Sequence, residues 1–362
     1  MSSFFSSILK TMLETLQNEI DEYININSTI DTMIAPTSIA GQVVFYISLL
    51  LDSPSVLCSF ILFYYFIHLP EFRNHRHSKA ILTYLLIGSF LVTAIDIPLI
   101  LPYLKNYHYI TSMKYPETFC IFWNIYDYGM YAINLWLVTL TCLERYLLIF
   151  FKPFIRTTRR RCFLISHVPV TFVVLFIIAW YLYLIALYPC IQSQFDFTQL
   201  FCGYPCYKIA SSPTVVMMDW FIANLLPVAL TLFFILLLIS HVLYQRQKIS
   251  RHLIQQQTWH RTRKMFHQLL PIAFIFLVFN MPLIVVGMLA TSDSWLYTTP
   301  YFYANSLSYC QSLFMPFAIL SRQNTIRKQL ANWLRLRRVN RTAPMTTAAP
   351  PPAIRLENVP IT

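Results

Sequence analysis

The sequence predicts an all-α membrane protein: a bundle of seven transmembrane helices with its N-terminus outside, its C-terminus inside and a short amphipathic eighth helix. Three observations predict it. The 362 residues are 57% hydrophobic and 16% aromatic but only 12% charged, about half the charge of a soluble domain. Seven apolar runs, at 43–68, 80–104, 120–151, 162–188, 213–244, 264–290 and 299–320, each hold the roughly 20 residues that a helix needs to cross a ~30 Å hydrocarbon layer. Of the 27 basic residues, all but Lys10, Lys105, Lys114 and Lys208 end the third run or follow the first, third, fifth and seventh, and such flanks stay in the cytoplasm.

Taken in order, residues 1–42 read as an extracellular segment. Its start, MSSFFSSILK, has neither a basic leader nor enough apolar core for a cleavable signal peptide, so the first run is expected to target the chain to the membrane. Asn27-Ser28-Thr29 is a glycosylation sequon on that outer side. Residues 43–320 form the seven-helix domain. Its runs contain Pro98, Pro169, Pro227, Pro282 and Pro316. Neighbouring helices in a bundle satisfy the carbonyls that proline frees, so these predict kinks rather than loops. The short basic stretch 245–263 prolongs runs 5 and 6 toward the cytoplasm. Within 321–338, Ile326, Leu330, Trp333 and Leu334 recur at helical spacing among basic residues, as in a helix lying in the inner interface. Residues 339–362, with TAPMTTAAPPPA, read as a disordered tail.

The third run is a measuring rod. Arg145 follows Cys120 by 25 residues, roughly 37 Å of helix, so the cysteine lies at the outer surface and the arginine at the inner one. Twenty-five steps of ~100° also return to within about 20° of whole turns, which points both side chains the same way. Glu144 stands beside Arg145, and opposite charges at membrane depth are expensive unless something uses them. This interval, ending in Glu144-Arg145-Tyr146, resembles the rhodopsin-like family of G-protein-coupled receptors. The texture is similar to the orphan receptor expansions of invertebrates, bdelloid rotifers among them.

The likeness covers about residues 42–335. Pro227, Pro282 and Pro316 fall where the family places its prolines in spans 5, 6 and 7, and Phe276 stands six before Pro282, as the family's aromatic switch residue does. Where the family has Asn-Pro-x-x-Tyr and Cys-Trp-x-Pro, this chain reads Met315-Pro316-Phe317-Ala318-Ile319 and Phe279-Asn280-Met281-Pro282. The resemblance implies a multi-pass plasma-membrane receptor with no cofactor. It also implies that Glu144, Arg145 and Tyr146 form a switch, in which the arginine pairs with the acid at rest and is released to receive a heterotrimeric G protein.

Cys120, Cys190, Cys202 and Cys206 lie at or beyond the outer surface, where disulfides form, and four cysteines allow three pairings. Family resemblance ties Cys120 to the loop before span 5, which implies Cys120 with Cys202 and leaves Cys190 with Cys206. A zinc site in CGYPC lacks a nearby histidine.

Four carboxylates, Asp52, Asp96, Asp127 and Asp219, fall in the outer halves of the runs, with no Lys or Arg expected at their depth. Such groups are protonated, face water or await a cation. Asp127 precedes Arg145 by 18 residues, five whole turns, and so faces the interior about 27 Å above it. By resemblance it holds the place of the amine-binding aspartate of biogenic-amine receptors, and Asp219, eight before Pro227, that of a second polar contact. The expected ligand is an amine or the basic side chain of a peptide, bound by Asp127 and Asp219 with Asp96, Trp123, Tyr131 and Asn280. Tyr126, Tyr128 and Trp220 add aromatic faces for cation–π contact. The competing reading has the aspartates hydrogen-bonded to tyrosines, holding helices together.

Other classes fit less well. Membrane hydroxylases need clustered histidines for two metals, and here His75 and His77 are the only close pair. A seven-span chemosensory channel or transporter is the alternative; such channels have the N-terminus inside, against the charge distribution. No phosphate-binding loop or nucleophile elbow appears among five glycines. The basic residues form a belt beside the spans, which fits membrane lipids and a cytosolic partner, not nucleic acid.

Overall fold

The structure is a computed structural model that describes residues 39–68, 80–105, 115–150, 159–189, 195, 202, 203, 205–210, 213–248, 253–289, 299–323, 326, 327, 329 and 332. Among these the chain is helical, with no strand. The long helices are α1 (Ile39–His68), α2 (Ala80–Leu91, then Val92–Asp96 and Ile97–Lys105), α3 (Pro116–Phe150), α4 (Arg159–Leu182, then Tyr183–Leu187), α5 (Pro213–Trp220, then Phe221–Leu225 and Leu226–Lys248), α6 (Leu253–Leu289) and α7 (Thr299–Arg322). A short loop helix, Cys206–Ala210, precedes α5. α3 touches α2, α4, α5 and α6, while α7 touches α1, α2 and α6. The bundle therefore closes around α3, which runs unbroken and carries Cys120 and Arg145 on one rod.

Among the described residues, five helices are long and apolar enough to cross a membrane, over Gln42–His68, Ala80–Pro102, Ser166–Leu187, Thr214–Tyr244 and Leu269–Leu289. α3 and α7, two of the seven expected spans, have the length without that apolarity. The reason is position. Large exposed apolar side chains are many on α1, α4, α5 and α6, such as Leu50, Ile67, Phe172, Leu175, Leu236 and Phe274, whereas α3 shows Phe122 and α7 none among the described residues. The peripheral helices present an apolar belt that water would not tolerate. The enclosed ones turn polar groups such as Asn124, Asp127, Asn134 and Gln311 toward their neighbours.

The predicted prolines all lie within helices, and some widen them. Among the described residues three segments are π-helical, and each ends two residues before a proline: Asp96 before Pro98, Leu187 before Pro189 and Leu225 before Pro227. A proline has no N–H and its ring crowds the preceding turn; a turn with one extra residue relieves the crowding. In α5 the N–H of Leu226 bonds to the carbonyl of Phe221. The next carbonyl, of Ile222, would face Pro227, which has nothing to donate. Trp136 Nε1 of α3 donates to it instead, at 3.2 Å. Thr139 Oγ1 donates to the carbonyl of Pro227 at 2.8 Å, and Tyr126 OH to that of Leu91, beside the widened turn of α2, at 2.8 Å. α3 thus supplies donors to carbonyls in or beside the widened turns of α2 and α5.

α5 and α6 meet at a glycine. A Cβ built on Gly287 would stand 2.3 Å from Cζ2 of Trp220, so the ring lies where any side chain would start. Gly287→Val is expected to destabilise the folded protein by about 1–3 kcal/mol, the usual penalty for overpacking. It is measured as a lower melting temperature of the purified protein, and an unchanged melt would show that the ring moves freely. Beyond α7 the amphipathic stretch is represented by Ile326, which is fully buried, and Arg327, whose Nη1 donates to the carbonyl of Ser321 at 3.2 Å.

Candidate functional site

At the inner end of α3, Glu144 is buried and accepts a hydrogen bond from Ser166 Oγ of α4 at 2.9 Å. Its other oxygen stands 3.9 Å from Arg145 Nη2, too far for a hydrogen bond and near enough for charge attraction. Ser166 is set by α4, whose next residue, His167, shares a hydrogen bond with Tyr84 OH of α2 at 3.0 Å. The ring of Tyr146 lies 5.9 Å from that of Phe234 on α5. Glu144 and Tyr146 therefore connect α3 to α4 and α5, with Arg145 beside Glu144.

At the outer end, Asp96 of α2 and Asp127 of α3 are both buried. Trp123 Nε1 donates to Asp96 at 3.1 Å, and Tyr309 OH of α7 donates to Asp127. Asp219 of α5 is buried and accepts from Trp180 Nε1 of α4 at 3.1 Å and from Tyr207 OH of the loop helix at 2.8 Å. The three carboxylates are each oriented by aromatic donors, tryptophan for Asp96, tyrosine for Asp127 and both for Asp219; the region they share at this end of the bundle is called the chamber below.

The expectation that no basic residue reaches this depth is overturned. Lys208, on the loop helix, points its ammonium into the chamber, 4.1 Å from the centre of the Tyr128 ring and 5.9 Å from that of Tyr207. Burial holds its pKa below the ordinary lysine range, while Asp219 and Asp127 pull it back up. The physical reason is the fold of the loop. Cys202 is joined to Cys120 of α3, with 5.8 Å between their Cα atoms, and Cys206 is also disulfide-bonded. Cys202 and Gly203 have φ of 58° and 78°, a left-handed pair that turns the chain sharply and is unfavourable for the cysteine. The N–H of Lys208 then bonds to the carbonyl of Pro205 at 2.9 Å. A loop pinned and turned in this way lies over the chamber rather than away from it.

The other expected contacts separate. Tyr131 OH donates to Asn280 Oδ1 at 3.2 Å. The Asn280 amide donates to the carbonyl of Phe276 at 2.8 Å and to Gln311 Oε1 of α7. Tyr131 and Asn280 therefore tie α3, α6 and α7 together below the carboxylates. Phe276 is fully buried in the apolar core, Pro227 and Pro316 are buried, and Pro282 is half-buried. Trp220, expected across the chamber, packs on Gly287, and Trp180 takes the place beside Asp219. Cys190 and Asn27 lie outside the described residues. Sequence reasoning missed Tyr309, Trp180, Tyr207 and Lys208; the signal for the last was a lysine two residues from a cysteine in a doubly pinned loop.

No family model and no curated protein sequence matches this chain.

Proposed function

We propose that this protein is a rhodopsin-like receptor with seven spans in the plasma membrane, carrying a signal from an extracellular cationic ligand, an amine or a basic peptide, to a heterotrimeric G protein. The observation that carries this reading is α3. One continuous helix has the carboxylate chamber at one end and the buried Glu144 with Arg145 at the other. Such a rod transmits small displacements between its ends because packed interiors deform little. The apolar belt on α1, α4, α5 and α6 supports a lipid surround, and polar interiors support α3 and α7 as the remaining spans.

The test is a screen of amines and basic peptides for guanine-nucleotide exchange in membranes. An agonist of the intact protein is expected to lose all effect on Arg145→Ala and to lose at least about 100-fold in potency on Asp127→Asn, the scale of a charge-assisted contact. Equal responses from Arg145→Ala and the intact protein would sink the receptor reading. Glycan on Asn27, read as a mobility shift after glycosidase, tests the outward N-terminus, and its absence at an accessible sequon favours a channel-like topology.

A further inference from the structure

We propose that the space bounded by Tyr128, Tyr207, Asp127 and Asp219 is a site for a primary ammonium on an aliphatic stem, and that the chain fills it with its own Lys208. This deepens the receptor reading: a cationic ligand enters only by displacing that side chain.

Three independent placements make the site. Tyr128, one residue from Asp127 on α3, offers its ring face at 4.1 Å, within the range of cation–π attraction. Asp219 on α5 and Asp127 on α3 attract the ammonium, and both carboxylates are already aimed by other donors: Trp180 and Tyr207 on the first, Tyr309 on the second. The loop helix cannot drift away, because Cys202 and Cys206 are both in disulfides and the buried Tyr207 is bonded to Asp219.

Charge explains why the site must be filled. Asp96, Asp127 and Asp219 are three buried carboxyl groups at this end of the bundle. Unpaired carboxylates in a water-poor interior are costly. Lys208 offsets part of this in the absence of any ligand. A resident ammonium weakens the apparent affinity of every competitor by the fraction of time it occupies the site, so an agonist that succeeds must carry its own cation at the same place.

The experiment is chemical replacement of the missing side chain. Lys208→Ala removes three methylenes and the nitrogen, which n-propylammonium reproduces. Purified full-length Lys208→Ala is expected to melt at lower temperature than the unmodified protein. Millimolar n-propylammonium chloride should raise that temperature saturably by several degrees. n-Propanol, or sodium chloride at equal ionic strength, should not, and the gain should vanish in Lys208→Ala with Asp219→Asn. No effect of n-propylammonium, or the same effect on the unmodified protein, would overturn the proposal.

A second measurement needs no variant. On the folded, unmodified protein, Lys208 should be acetylated by a water-soluble succinimidyl ester at least about tenfold more slowly than Lys105, which is exposed; equal rates would overturn the proposal as well. Neither readout involves a G protein. Rescue without nucleotide exchange would leave the ammonium site standing and remove the receptor reading, and the reverse result would do the opposite.

Discussion

Glu144→Gln should raise ligand-independent nucleotide exchange about tenfold over the intact protein. The carboxylate is buried, receives one hydrogen bond from Ser166 and stands 3.9 Å from Arg145. At that separation the attraction is about 4 kcal/mol for an effective dielectric near 20, and the desolvation of both ions offsets most of it. A net loss of about 1.4 kcal/mol from the resting arrangement is enough for a tenfold shift in population. Glutamine keeps the shape and the hydrogen bond from Ser166 but removes the charge that holds the guanidinium. Ser166→Ala leaves the charge and should act in the same direction more weakly. Basal exchange in membranes is the measurement, with Arg145→Ala as the silent reference; a Glu144→Gln protein no more active than the intact one would show that the pair only anchors the helix.

Cys202→Ser should produce the largest loss of stability. The bond to Cys120 closes a sequence separation of 82 residues, for which chain entropy alone predicts about 4–5 kcal/mol. A chain already confined by lipid has less freedom to lose, so about half of that is expected in a bilayer, a fall of several degrees in melting temperature. The left-handed backbone at Cys202 and Gly203 is held only while the bond exists. Its release should loosen the loop helix, which is then held by the disulfide of Cys206 and the bond from Tyr207 to Asp219. Reductant should lower the melting temperature of the intact protein at least as far, and a Cys202→Ser protein that melts with the intact one would contradict this account.

Much of the architecture was readable from residue spacing, because the physical signals there are local. An apolar run long enough to span a bilayer needs no partner to be recognised, and the distance from Cys120 to Arg145 is a property of one helix. What escaped depended on the path of the chain between helices. Lys208 was assigned to the outside by counting from the nearest apolar run, since nothing in that count shows a loop folding back beneath two disulfides. Trp220 was expected across the chamber because it adjoins Asp219 in sequence, yet neighbouring residues on a helix point about 100° apart; its ring packs on Gly287, and Trp180 of α4 meets Asp219 instead. Tyr131 and Asn280 were grouped with the chamber because polar residues inside a membrane bundle invite a ligand reading, whereas each had a partner on a neighbouring helix. α3 and α7 fell short of the apolarity of the other helices because hydropathy averages around the whole circumference, and these two have little circumference exposed.

The widened turns before Pro98 and Pro227 act as notches in a screw thread. Each inserts one residue's worth of rotation, so the outer segments of α2 and α5 sit about 100° away from where an even thread would leave them. Asp96 closes one notch, and Asp219 lies just above the other. Replacing either proline by alanine restores the missing N–H and allows the thread to run evenly, and the acid at or above that notch would then turn off its bearing by more than a quarter of a circle. The aim of two acids is thus set by imino rings two residues after Asp96 and eight after Asp219, a dependence that would go unnoticed in any survey confined to residues touching the chamber itself.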